Sequence, residues 1–180
     1  MNMNELIDVS TILANLLPFS PNYIESFDSN ITSIQIPNYS INNENYTIFN
    51  FSRFTLLEEV IIGDYCFENV ELFKIDGLNH LKSLKIGTFS FTKYKGSYGN
   101  DPSRSFSVLN CIELESVEIG EYSFSDYGGG FELNNLPKLY SIKIGYIGNA
   151  LGVGSYNFCY SSFVIRGIRD VLILLMTRSS

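Results

Sequence analysis

Apolar residues recur along this chain in a fixed frame. From Phe49 to Gly63 the order is Phe-x-Phe-x-x-Phe-x-x-Leu-x-x-Val-x-Ile-Gly. From Phe73 to Gly87 it is Phe-x-Ile-x-x-Leu-x-x-Leu-x-x-Leu-x-Ile-Gly, and segments 106–120, 131–145 and 163–177 repeat it. Each frame predicts two extended pieces. The closing one, such as Leu81-x-x-Leu84-x-Ile86, alternates like a half-buried strand. The opening one, such as Phe131-Glu132-Leu133, reads as a short second strand on the opposite side of a coil. The glycine after the closing strand predicts a tight bend with positive φ. An aromatic pair then returns inward: Tyr65-Cys66-Phe67, Phe89-Ser90-Phe91, Tyr122-Ser123-Phe124.

The closing positions Gly63, Gly87, Gly120, Gly145 and Thr177 are spaced by 24, 33, 25 and 32 residues. Units of about 24 and about 33 residues therefore alternate, a fixed-period pattern of stacked repeats. The extra residues always fall between a closing position and the next Phe, at 92–105 and 146–162, which maps them to one edge of a stack. A single unit buries too little apolar surface to offset the entropy of ordering it. Neighbours must stack and share one continuous core. Closing residues Val171, Leu174 and Met176 are read as equivalent to Leu139, Ile142 and Ile144. That places Ile173 and Leu175 where earlier units carry serine or charge.

The Leu-x-x-Leu-x-Ile strand, the Ile-Gly-x-x-Ser-Phe step and the phrase Asn110-Cys111-x-x-Leu114-x-Ser116-Val117 resemble the BspA-like leucine-rich repeats. The resemblance spans about residues 49–177, and a degenerate unit, Ile31-x-x-Ile34-x-Ile36-Pro37, extends it upstream. It implies a leucine-rich-repeat solenoid, α/β or mainly β, with a parallel sheet on the concave face that binds proteins or surface ligands. Alternating unit lengths depart from that family's pattern.

The pattern predicts a short helix that Asn4 can cap, with Leu6, Leu13, Leu16 and Leu17 as its apolar stripe and Pro18 near its stop. Residues 1–22 are thus expected as a capping helix and 23–180 as the repeat array. The apolar edge at 171–176 is a candidate for self-association, because an unpaired strand templates pairing. A chain that stops within the array is the plainer expectation.

The strand frame fixes which positions face outward: Glu59 and Ile61, Ser83 and Lys85, Ser116 and Glu118, Ser141 and Lys143. Lys85, Glu118 and Lys143 can pair across neighbouring strands. The same residues, Ser83, Lys85, Ser116, Glu118, Ser141 and Lys143, form a mixed-charge, serine-lined strip and are the candidate protein-binding site. The insertion 92–105 carries Lys93, Tyr94, Lys95, Tyr98 and Arg104. Such a mixture can grip single-stranded nucleic acid, but Asp101 and the acidic chain point away from it. A solvated insertion is expected, with Tyr94 and Arg104 as candidate protein contacts.

Composition narrows the rest. The formal net charge of −7 disfavours nucleic acid and anionic membrane. No apolar run is long enough to span a bilayer. Three cysteines without metal-type spacing and an N-terminus without a basic leader lead to a reduced, cytoplasmic expectation. Cell-surface display is the alternative, and in that setting Asn30, Asn38, Asn45 and Asn50 would be glycosylation sequons. His80 aligns with the charged Glu113, Lys138 and Asp170, so it is expected on the surface. Cys111 aligns with Leu78, Leu136 and Ile168, so it is expected in the core. With one histidine and no nucleophile–base pair or ligand cluster, neither enzyme activity nor a cofactor is expected. The glycines of 145–154 lack the Lys-Ser/Thr of a phosphate loop.

Overall fold

The computed structural model describes residues 29–94, 99–145, 156–169 and 172–175. Among these residues eleven strands form two sheets, and every adjacent pair runs parallel. β1 (Ser33–Ile36), β3 (Glu59–Ile62), β5 (Ser83–Ile86), β7 (Ser116–Ile119), β9 (Ser141–Ile144) and β11 (Leu172–Leu175) form a six-stranded sheet in that order. β2 (Ile48–Asn50), β4 (Leu72–Asp76), β6 (Ser105–Leu109), β8 (Phe131–Asn134) and β10 (Phe163–Arg166) form a five-stranded one. The chain therefore visits the two sheets alternately, which supplies the crossover that parallel neighbours require. This mainly β arrangement is compatible with a stacked, solenoid-like coil. No helix occurs among the described residues, and the expected capping helix over 1–22 lies outside them.

Alternation inside each strand sends the frame's apolar residues into one core. Val60, Leu84, Val117 and Ile142 from the first sheet, and Phe73, Val108 and Leu133 from the second, are all almost fully buried. Phenylalanines form columns at the inter-strand spacing. Phe49, Phe73, Phe106 and Phe131 stack with centroids 4.5, 4.6 and 4.9 Å apart. Phe67, Phe91, Phe124 and Phe158 form a second column at 4.9, 4.7 and 5.0 Å. The columns meet edge to face, as with Phe73 and Phe91 at 5.1 Å. Such pairs contribute about 0.5–1.5 kcal/mol each beyond area burial.

The bends hold the coils together by stacked hydrogen bonds. Ser90 Oγ donates to the Gly63 carbonyl and Ser123 Oγ to that of Gly87, at 2.8 and 2.6 Å. Cys66 occupies the same slot, its Sγ 3.1 Å from the Pro37 carbonyl oxygen, which explains a small residue there. Cys111 is buried in the core, as its alignment predicts. The expectation of positive φ at the closing glycines fails for Gly63, Gly87 and Gly120. Positive φ falls instead on the aromatics after them, including Tyr65, Phe67, Phe89 and Phe91. Glycine is needed because adjacent coils touch: a Cβ on Gly87 would lie 2.7 Å from the Asp64 nitrogen, and one on Gly120 2.7 Å from that of Thr88.

The last strand also departs from the frame. β11 pairs with β9 as Ile173 with Ile142 and Leu175 with Ile144, so Leu172 and Leu174 hold the register positions of Ser141 and Lys143. The repeat alignment instead puts Leu174 and Met176 on the inward register. An uninterrupted apolar run carries no alternation from which register can be read, and a slip of one residue exchanges the two faces.

Candidate functional site

The outward rows of the six-stranded sheet assemble as the spacing requires. Glu59, Ser83, Ser116 and Ser141 are successive register partners, and so are Ile61, Lys85, Glu118 and Lys143. Glu118 lies between the two lysines: Lys85 Nζ is 3.7 Å from its Oε2 and Lys143 Nζ is 3.5 Å from its Oε1. The three serines are partly covered by their neighbours, and Ser83 Oγ donates to Glu59 Oε1 at 3.4 Å.

Further pairs flank these rows. Lys82 lies 2.6 Å from Glu58, and Lys138 lies 2.6 Å from Glu113. The hydrogen bond from Lys82 lowers the Glu58 pKa, and the reciprocal contact raises that of Lys82. Because these groups are bathed in solvent, the pairs hold the surface in register more than they stabilise the fold. The strip thus presents hydroxyls and charges of both signs at the surface. Six of the eight predicted site residues share this face.

Tyr94 and Arg104 do not join them. Tyr94 is half exposed on the insertion. Arg104 is fully buried, which corrects its assignment as a solvent-facing contact. Its Nη1 lies 2.6 Å from Asp126 Oδ2, and its Nη2 donates to the carbonyls of Glu68 and Val70 at 2.8 and 2.6 Å. The guanidinium carbon sits 4.9 Å from the Tyr127 ring centroid, and the Tyr127 hydroxyl donates to the Val70 carbonyl at 2.7 Å. Asp101 and Tyr127 form a parallel bridge beside the pair.

The described part of the insertion is therefore anchored by buried Thr92 and Arg104, while Lys93, Tyr94, Pro102 and Ser103 stay exposed. A buried cation has to find compensating partners, and backbone carbonyls with one carboxylate supply them. Burial pushes the Asp126 pKa up, with Arg104 opposing that effect, and it also pushes the Tyr127 phenol up. Among the described residues, Arg104 Nε and Asp126 Oδ1 have no hydrogen-bond partner.

Asp126 and Tyr127 are not among the residues that the strand frame singles out. A signal for them exists in the chain all the same. Thr92 Oγ1 meets Ser125 Oγ at 2.7 Å across 33 residues, so the frame continues past Phe91 and Phe124 and sets Lys93 beside Asp126.

His80 is exposed. The Cys111 thiol is pushed up to about 11 by burial, and burial also raises that of Cys159. Among the described residues no group of His, Cys, Asp or Glu is placed to hold a metal ion, and no helix is long and apolar enough to cross a membrane. The glycine-rich stretch 145–154 falls almost wholly outside the described residues. Compared with known proteins, the chain matches no family model, no curated protein and no solved structure.

Proposed function

We propose that this chain is a non-enzymatic leucine-rich-repeat solenoid of the BspA-like kind, serving as a protein-interaction module. Its partner is a protein held on the strip formed by Ser83, Lys85, Ser116, Glu118, Ser141 and Lys143. The observation that supports this reading is the alignment of those six outward side chains in two adjacent rows across three register-matched strands. Mixed charge on a regular strip suits orientation and selectivity more than raw affinity. A reduced, cytoplasmic setting goes with this reading.

The test is the variant Lys85→Glu, Glu118→Lys, Lys143→Glu. It reverses each charge while keeping opposite signs side by side, so the fold is expected to survive. A partner captured by the native chain is purified and titrated against both proteins at two salt concentrations. Binding that the folded variant loses supports the strip. Equal affinity for both proteins rejects it.

A second reading is a cell-surface adhesin-type repeat protein that binds host or matrix ligands. What favours it is that the sequon asparagines Asn30, Asn38, Asn45 and Asn50 are all exposed. Tryptic release of the protein from intact cells, with a mass that falls on enzymatic removal of N-glycans, supports this reading. Resistance to trypsin with an unmodified mass rejects it.

A further inference from the structure

Charge on the outer face of the six-stranded sheet changes sign from coil to coil. Glu59 lies on β3, Lys85 on β5, Glu118 on β7 and Lys143 on β9. One residue before the strands the same signs recur. Glu58, Lys82 and Glu115 stand there in successive coils, the Lys82 amide donating to the Glu58 carbonyl and the Glu115 amide to that of Lys82. The four inner strands are therefore stripes of negative, positive, negative and positive charge. The flanking β1 and β11, Ser-Ile-Gln-Ile and Leu-Ile-Leu-Leu, carry none. The Lys82 and Lys85 side chains are 52% and 61% exposed. Lys85 and Lys143 stand 3.7 and 3.5 Å from Glu118, farther than a charge-assisted hydrogen bond of about 2.7–2.9 Å, so both ammonium groups retain bonding capacity.

We infer that the occupant of this strip is a second copy of the chain, packed sheet against sheet about a two-fold axis that runs along the strands between β5 and β7. The inference rests on the strip being a protein-binding surface and names what binds there. Its support is charge complementarity. An even number of alternating stripes becomes its own complement when the order is reversed. This axis reverses strand order and keeps strand direction, so β3 faces β9 of the second copy and β5 faces β7. Lys82 then stands opposite Glu115 of the second copy and Lys85 opposite Glu118, and the isologous symmetry repeats both pairs. The uncharged β1 faces the uncharged β11.

Other two-fold arrangements bring like charges together. An axis across the strands sets every stripe against itself. An axis on β7 sets the positive β5 against the positive β9, and one on β5 sets β3 against β7, both negative. Packed sheets lie about 10 Å apart, a gap that a lysine and a glutamate reaching from opposite sides can close. Strands about 4.8 Å apart, each four residues long, give a six-stranded face of roughly 400 Å² per copy. That is small for a specific interface, and opposed charges set orientation more than affinity. The dimer is therefore weak, reversible and sensitive to salt.

The test uses the full chain. Sedimentation of the native chain at low salt is expected to give twice the chain mass at high concentration, and one chain mass on dilution or in concentrated salt. Lys82→Glu with Lys85→Glu makes the β5 stripe negative, and Glu115→Lys with Glu118→Lys makes the β7 stripe positive. Each double variant alone is expected to stay at one chain mass, because like stripes then face each other. Their equimolar mixture is expected to regain the double mass, since the negative β5 of one faces the positive β7 of the other. That recovery also shows that both variants fold. One chain mass for the native chain at every concentration, or a mixture that stays single, overturns the inference. The triple reversal Lys85→Glu, Glu118→Lys, Lys143→Glu is expected to pair with itself and far less with the native chain. A native chain that stays single, with a different protein held by it and lost by the triple variant, overturns this inference and leaves the strip reading standing. Equal pairing of the native chain with itself and with the triple variant rejects the strip as well.

Discussion

Two sets of ion pairs in this fold differ in nearly every physical respect. On the outer face Glu118 sits between Lys85 and Lys143 at 3.7 and 3.5 Å, open to solvent. In the core, Arg104 of the 92–105 insertion and Asp126 meet at 2.6 Å with almost no exposure. The outer residues can exchange their partners for water at little cost. The inner pair cannot, because removing one partner strands a charge in the core. Exposed pairs therefore keep their charges within reach of solvent, while the buried pair serves as a fixed joint between coils.

The sharpest test of the contrast uses two neighbouring positions. Leu114→Asp places a carboxylate in the shared core and is expected to cost several kcal/mol (about 3 or more) and abolish cooperative melting. Glu113→Ala, one residue away on the exposed side, is expected to change stability by less than about 0.5 kcal/mol. Comparable losses at the two sites in urea titrations would contradict the inward and outward assignment of the repeat.

Next in size, Arg104→Ala is expected to cost about 3–5 kcal/mol, since it leaves Asp126 buried and unpaired. Loss of no more than about 1 kcal/mol, the range of exposed pairs, would remove the distinction between the two sets.

The pH dependence of that variant carries a definite sign. Burial already raises the Asp126 pKa and Arg104 opposes the rise, so deleting Arg104 raises it further. A raised carboxyl contributes stability that is fully present below its unfolded pKa and lost as pH rises through the folded one. The urea midpoint of Arg104→Ala is thus expected to fall more steeply than that of the native chain between acid and neutral pH. Asp76 and Asp101 act in the opposite direction: hydrogen bonds from Asn110 and Ser103 lower their pKa values, and their contribution is lost as pH falls through the folded values. Asn110→Ala is expected to move Asp76 back toward the ordinary carboxylate value in an NMR titration.

The smallest effect belongs to the outer face. Glu118→Ala is expected to cost about 0.2–1 kcal/mol, as for an exposed cross-strand pair, and less as salt is added. A salt-insensitive loss would place Glu118 among the structural residues instead of on the proposed strip.

These two regions also differ in how far they can be read from the chain. Lys85, Glu118 and Lys143 occupy equivalent frame positions, so a period of two is enough to bring them together. Arg104 stands in an insertion whose path no frame constrains, and basic residues there read as solvated. Its partner Asp126 lies in the frame's continuation from Thr92 to Ser125, a signal weaker than the strand pattern because it depends on a single serine–threonine contact. The frame sets β11 one residue out of register for a related reason: Leu172 to Leu175 offers no polar face.

Periodicity alone dictates the repeat. Recurring Phe, Leu and Ile positions leave only one stacking that buries them all, so the strands, their outward rows and the small-residue slot of Cys66, Ser90 and Ser123 follow from the order of residues. Where that order is silent, contacts between coils settle the outcome. They bury Arg104 against Asp126 and carry the positive φ on the aromatics after Gly63 and Gly87. Burial at those places depends on which coil lies next to which, a relation between segments that no single stretch of chain contains.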